Sequence, residues 1–189
     1  MRSRLAAAAN LLFKNGLQFF FMTKKKEDHG MQGMTFGAMD AIINVLGIVV
    51  GLGVMGNKVA VVVGLVVAGL ANSMGNAAGF HVSEETEGVH TRREVWFSTI
   101  LSFCSTFFVT IILLLPLLLL SLANAIVASV SMGITIMIFL ALFVGRRLGH
   151  GRKDGVKLVL EYVAMGVIVV IAAFYLGQVA SSMLGGLAA

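Results

Sequence analysis

Asp40 stands inside a run of residues that otherwise carries no charge. An ionisable side chain at the middle of an apolar span costs about 2.5–3.5 kcal/mol on insertion scales, less near an end, so its presence calls for a reason. Asn44 follows one helical turn later, and a second apolar run carries Asn72 and Asn76 at the same i,i+4 spacing, which puts each pair on one helix face. A chain reversal near residues 57–58 brings Asp40 opposite Asn76 and Asn44 opposite Asn72. Gly37, Gly47 and Gly51 share the first stripe, and Gly69 and Gly79 the second, so the two helices can approach closely. Four oxygen-bearing side chains along one seam are suited to holding a cation, with the carboxylate taking cation and proton in turn. The plainer reading stays open beside it: the asparagines are hydrogen-bonding glue, and Asp40 is hydrated or paired with a basic residue of a loop.

A second acid, Glu161, lies in the last apolar run, four residues after Lys157. That spacing suits an ion pair at the membrane surface, and an inward-facing Glu161 would instead be a second carboxylate at a depth similar to that of Asp40. The segment 81–94 holds His81 and Glu85, then His90 and Glu94, each pair spaced for one helix face, with Glu84 and Glu87 between them. Imidazole with carboxylate suits iron, manganese or zinc, so these six residues form a candidate cytoplasmic metal site. The same residues also read as solvated loop glutamates, with Thr91 and Glu94 forming a capping box for the following helix. The 11 methionines are scattered, with Met34, Met39 and Met74 nearest the polar seam, and Cys104 lies in an apolar run.

These residues need elements to position them, and composition says which. Of 189 residues, 58% are hydrophobic and 12% charged, well outside the balance of an ordinary soluble domain. Five apolar runs, at residues 36–56, 59–81, 95–120, 122–145 and 158–183, are each long enough to cross about 30 Å of hydrocarbon. The predicted fold is therefore all-α, an integral multi-pass membrane protein with five transmembrane helices over residues 31–189. Gly56-Asn57-Lys58 separates the first two runs, and Ser121, following Pro116, separates the third and fourth, so each pair is predicted to form a tight hairpin.

The polar segments 1–35, 82–94 and 146–157 then fall on one side, carrying 13 of the 14 Lys and Arg, with Lys58 alone opposite. By the positive-inside rule the N-terminus is cytoplasmic and the C-terminus outside or lumenal. Residues 1–30 are predicted to be an interfacial amphipathic helix and basic segment rather than a cleaved leader: Lys14, Asn15, Gly16 and Gln18 interrupt the apolar run, and Phe19-Phe20-Phe21 precedes Lys24-Lys25-Lys26. The net charge of +5 belongs to these membrane flanks, which argues against nucleic acid as a partner and for membrane lipid. A single cysteine excludes an internal disulfide. No phosphate-binding glycine loop, dinucleotide fingerprint, zinc-protease motif or nucleophile elbow is present, so no enzyme and no cofactor are predicted.

The first run, Phe36-Gly37-Ala38-Met39-Asp40-Ala41-Ile42-Ile43-Asn44 with Gly47 and Gly51 beyond it, resembles the opening span of the vacuolar iron transporter family. The second, from Gly69 through Asn72-Ser73-Met74-Gly75-Asn76 to Gly79-Phe80-His81-Val82-Ser83, is similar to that family's second span, and Gly166 with Tyr175-Leu176-Gly177 is similar to its last. The resemblance covers about residues 31–185. It implies a homodimer with a path between subunits, moving ferrous iron or manganese out of the cytoplasm in exchange for protons, with Asp40 as the first-span acid and the metal as substrate. It also implies a cell membrane in a prokaryote or a vacuolar-type membrane in a eukaryote.

Aligned on Gly79 and Ser83, Asn76 stands at the family's methionine, Phe80 at its glutamate, His81 at its tyrosine and Asn72 at an acidic position, and the long cytoplasmic metal-binding insert of some members is absent. The loss of a soft ligand and a negative charge weakens transition-metal binding, so another cation is carried or Glu161 compensates. The expected function is thus divalent metal transport through Asp40, Asn44, Asn72, Asn76 and Glu161. A membrane scaffold that binds lipid or a protein partner without transport is the alternative.

Overall fold

The computed structural model describes residues 30–185, all but the four short connections between helices being α-helical. The expected interfacial helix, apart from Gly30, lies outside the described residues. Five helices, α1 (Gly30–Gly53), α2 (Lys58–Glu87), α3 (Arg92–Leu119), α4 (Leu122–Arg147) and α5 (Arg152–Gly185), follow one another, and all five are long and apolar enough to cross a membrane. The architecture fits a multi-pass membrane protein.

Local chemistry explains where the helices start and stop. Asn57 caps α2, its side-chain oxygen accepting from the Ala60 N–H at 3.1 Å. Gly88 ends α2 in the left-handed region, φ 64°, where a side chain would be strained. Glu94 reaches back to accept from the Thr91 N–H at 3.0 Å and from its hydroxyl at 2.9 Å, the reciprocal cap expected at the start of α3. Pro116 sits one turn before the end of α3, and Arg146 and Arg147 lie where the α4 dipole favours positive charge.

The helices overrun the apolar segments that mark the spans. α1 is already helical at Gly30, ahead of residue 36, α2 continues to Glu87 instead of 81, and α5 starts at Arg152 instead of 158. Hydropathy measures the slab a helix crosses, whereas the helix itself runs on through polar helix-formers until a cap stops it.

α1 is the axis of the bundle. Half of its apolar segment (50%) is buried, against 6% for α5. Ile42, Val45, Leu46 and Val49 of α1 meet Val61 and Leu65 of α2, Leu113 and Leu117 of α3, and Ala125 and Met137 of α4 in one core, with α5 contributing only half-buried side chains such as Tyr162 and Val170. Contacts at successive glycines fix the directions: Gly33 lies against Ser98 and Gly37 against Ser102, so α1 and α3 run parallel; Gly47 lies against Val169 and Gly51 against Ala173, so α1 and α5 do too. α4 runs against α1, since Gly133 meets Leu46 and Ile42 while Gly53 meets Ile126. The connections 88–91 and 148–151 and the start of α1 therefore share one end, here the basic end. The turns 54–57 and 120–121 share the other, where the Lys58 ammonium donates to the Leu120 carbonyl at 2.8 Å.

A Cβ added to Gly37 would fall 2.5 Å from the Ser102 carbonyl oxygen and 2.7 Å from Thr106 Oγ1, on backbone and buried side chain that cannot step aside. Gly75 has nothing within 4 Å of such a Cβ. Gly37→Ala is expected to destabilise the bundle by about 1–3 kcal/mol, and Gly75→Ala to be near neutral, as read from unfolding of the purified protein in detergent.

Candidate functional site

Asp40, Asn44, Asn72 and Asn76 meet at one point on the α1–α2 seam. One carboxylate oxygen, Asp40 Oδ2, accepts from the Asn44 amide at 3.0 Å, from Asn72 at 2.5 Å and from Asn76 at 2.8 Å. Asn44 also donates to the Asp40 carbonyl at 3.1 Å. The expected pairing of Asn44 with Asn72 is replaced: both asparagines of α2 reach Asp40, and Asn44 turns back along its own helix to join them. This follows from helix geometry, since residues one turn apart on each face lie about 5–6 Å from each other at Cβ and an amide can span that gap.

A fifth side chain belongs to the cluster. The Asn76 amide also donates to Thr106 Oγ1 at 3.1 Å, and the Thr106 hydroxyl lies 2.9 Å from the Ser102 carbonyl of its own helix and 3.1 Å from the Gly37 carbonyl across the α1–α3 contact. Thr106 is fully buried and ties α3 to both partners. Its signal in the sequence is the i,i+4 hydroxyl stripe Ser98, Ser102, Thr106 and Thr110 on α3, every member of which is buried.

The cluster is not closed. Asn44 is exposed, and Asp40, Asn72 and Asn76 are half-buried. Along α1 the acid lies four residues into the apolar run that begins at residue 36, about one turn from its basic-end margin. In hydrocarbon, an uncovered amide and carboxylate on a helix face would lack the partners that water supplies.

No family model, curated protein or solved structure matches the chain. What the cluster can do has to be read from its own chemistry.

The other sequence candidates do not join it. Glu161 is exposed on α5 and, among the described residues, forms neither an ion pair with Lys157 nor a hydrogen bond to the Asp40 cluster. The six residues of segment 81–94 divide into separate local contacts. His81 Nδ1 lies 2.9 Å from Thr99 Oγ1; because the Thr99 hydroxyl donates to the Val95 carbonyl, it accepts from the imidazole. The other face of His81 packs on Trp96, ring centroids 4.7 Å apart, and its Nε2 stands 3.5 Å from Glu85. His90 Nε2 stands 3.5 Å from Glu84 and 3.3 Å from Glu87, while Glu94 serves the α3 cap. Among the described residues no group of three or more His, Cys, Asp or Glu is placed to hold a metal ion.

The convergence on Asp40 Oδ2 makes these side chains energetically coupled. Asn76→Leu is expected to cost about 1–2 kcal/mol, within the range of interhelical hydrogen bonds in bundles of this kind. The double variant Asp40→Leu/Asn76→Leu should be destabilised by less than the sum of the singles, since the acid is no longer left short of a donor. Unfolding equilibria of the four proteins in detergent measure the coupling, and strict additivity would show that the bond contributes nothing.

Proposed function

We propose that this chain is a secondary transporter that carries a divalent cation, ferrous iron or manganese, out of the cytoplasm in exchange for protons. The observation that carries the reading is Asp40: an acid within a spanning segment, half-buried, with three amides directed at a single oxygen. An amide that turns its N–H₂ to a carboxylate can present its Oδ1 instead after rotation about its last torsion. The same four side chains then change from an anion clamp to a set of hard oxygen ligands. Protonation of Asp40 removes the charge that holds the cation, so proton and metal compete for one group and their fluxes are linked.

The open side of the cluster supports assembly as a homodimer. A second copy laid along the α1–α2 seam would cover Asn44 and Asp40 and enclose a polar path between subunits, which a lipid-facing surface would not. With the basic end facing the cytoplasm, as charge placement favours, Asp40 is reached from that side first.

One observation favours a second reading, a scaffold without transport. The three amides already satisfy Asp40 Oδ2, as hydrogen-bonding glue between helices would.

Liposomes containing the purified protein, loaded with a metal-sensitive dye and given an imposed pH gradient, separate the two. The transporter reading expects manganese and ferrous iron entry that depends on the gradient and falls in Asp40→Asn to the rate of protein-free vesicles. Asp40→Asn protein that is folded and transports at the wild-type rate would remove Asp40 from the path. No influx through folded wild-type protein would leave the scaffold.

A further inference from the structure

At the basic end, residues of α1, α2 and α5 line a surface cavity of about 420 Å³. That volume lies within the range of sites for small organic ligands, about 300–1,000 Å³. Its walls combine aromatic and thioether side chains with the uncharged polar Gln32, Thr35 and Ser83. Phe36 and Phe80 meet with ring centroids 6.0 Å apart and planes tilted by 34°, and Tyr162 of α5 and Met39 of α1 are among the other lining residues.

The charge in this cavity has one sign. Glu84 and Glu87 are the ionisable carboxylates among the described residues that line it, and no Lys, Arg or His is among those residues. Glu84 is only 4% exposed; among the described residues its Oε2 makes no hydrogen bond, and it stands 3.5 Å from His90 Nε2, an ion pair when the imidazole is charged. A buried carboxylate is costly unless a cation or donor meets it. His90 Nε2, 3.5 Å from Glu84 and 3.3 Å from Glu87, faces both acids at once, so even as an imidazolium it leaves the pair with a net negative charge.

A bare divalent ion does not fit this wall. It takes four to eight ligand atoms at about 2.0–2.6 Å, and among the described residues no group of three or more His, Cys, Asp or Glu, His90 with Glu84 and Glu87 included, is placed to hold one. Two carboxylates beside three aromatic rings instead match a larger cation whose charge is spread over alkyl groups. Ring faces attract such a cation through their quadrupoles, and the acids supply the counter-charge.

We infer that this cavity binds an organic ammonium ion, with Glu84 and Glu87 as counter-ions and Phe36, Phe80 and Tyr162 as the aromatic wall. The site is distinct from the Asp40 cluster, and the inference does not rest on the transport reading.

Calorimetric titration of benzyltrimethylammonium into the purified full-length protein in detergent tests it, with manganese titrated in parallel. The expected result is saturable ammonium binding whose Kd rises at least tenfold in Glu84→Gln and several-fold in Phe80→Leu, and is unchanged in Asp40→Asn. Glu87→Gln, at an exposed position that tolerates substitution, carries the same expectation should Glu84→Gln fail to fold. The inference is overturned if folded wild-type protein shows no saturable ammonium binding. It is equally overturned if the folded glutamate variants bind as wild type does, or if manganese alone binds in a Glu84-dependent way.

Discussion

Lipid tails are as apolar as the side chains they surround, so helices in a bilayer gain little by hiding apolar surface from them and must rely on close contact and on polar bonds between helices. In this bundle the close contacts are concentrated on α1. Gly33 and Gly37 admit α3 until backbone carbonyls lie where a Cβ would be, and Gly51 meets Gly177 of α5 backbone to backbone. The approach at Gly37 brings Thr106 within reach of the Gly37 carbonyl and of Asn76 together. Asp40 stands three residues further along, almost one turn, facing α2. The position of the acid is a consequence of the glycine contact, and the hydrogen bonds around it then hold a spacing that the small residues made available.

The same constraint accounts for what α3 buries. Ser98 and Ser102 are fully buried and their hydroxyls have no hydrogen-bond partner, which is expensive for the group itself. What these positions contribute is small size and a carbonyl: Ser98 and Ser102 present backbone oxygens to the glycines of α1, and the Ser102 carbonyl accepts from Thr106 and Ser105. A larger apolar residue would avoid the buried hydroxyl and push α1 away, and Asn76 would then have no route to both Asp40 and Thr106.

α5 shows the opposite condition. It touches the bundle along a narrow line, at Gly166 against Met137 and Ile134 and at Gly177 against Gly51, and leaves Ile168, Ile171, Tyr175 and Val179 exposed. A helix so weakly buried leaves room at the basic end, where residues of α1, α2 and α5 line a cavity beside Glu84 and Phe80. The central helix is packed for proximity while the outer one leaves a cleft, and the two polar features of the molecule lie on either side of that difference.

Five long apolar helices, their hairpins and the pairing of Asp40 with Asn76 were legible in the sequence, because hydrophobic runs are matched to the bilayer and the 3.6-residue period places i and i+4 on one face whatever the surroundings; that Asn44 and Asn72 both turn to Asp40 instead of facing each other was not. The capping of α3 by Thr91 and Glu94 was legible for the same reason: it is settled within four residues. Only the tertiary structure decided that Thr106 joins the cluster, that Glu161 stays on the outer face, and that His81 turns to Thr99 and Trp96 while His90 turns to Glu84 and Glu87. Each depends on the rotation of one helix about its axis relative to another. Amphipathic contrast would report that rotation in a soluble bundle; in a chain apolar on nearly every face it is set by glycine and serine contacts between helices distant in sequence.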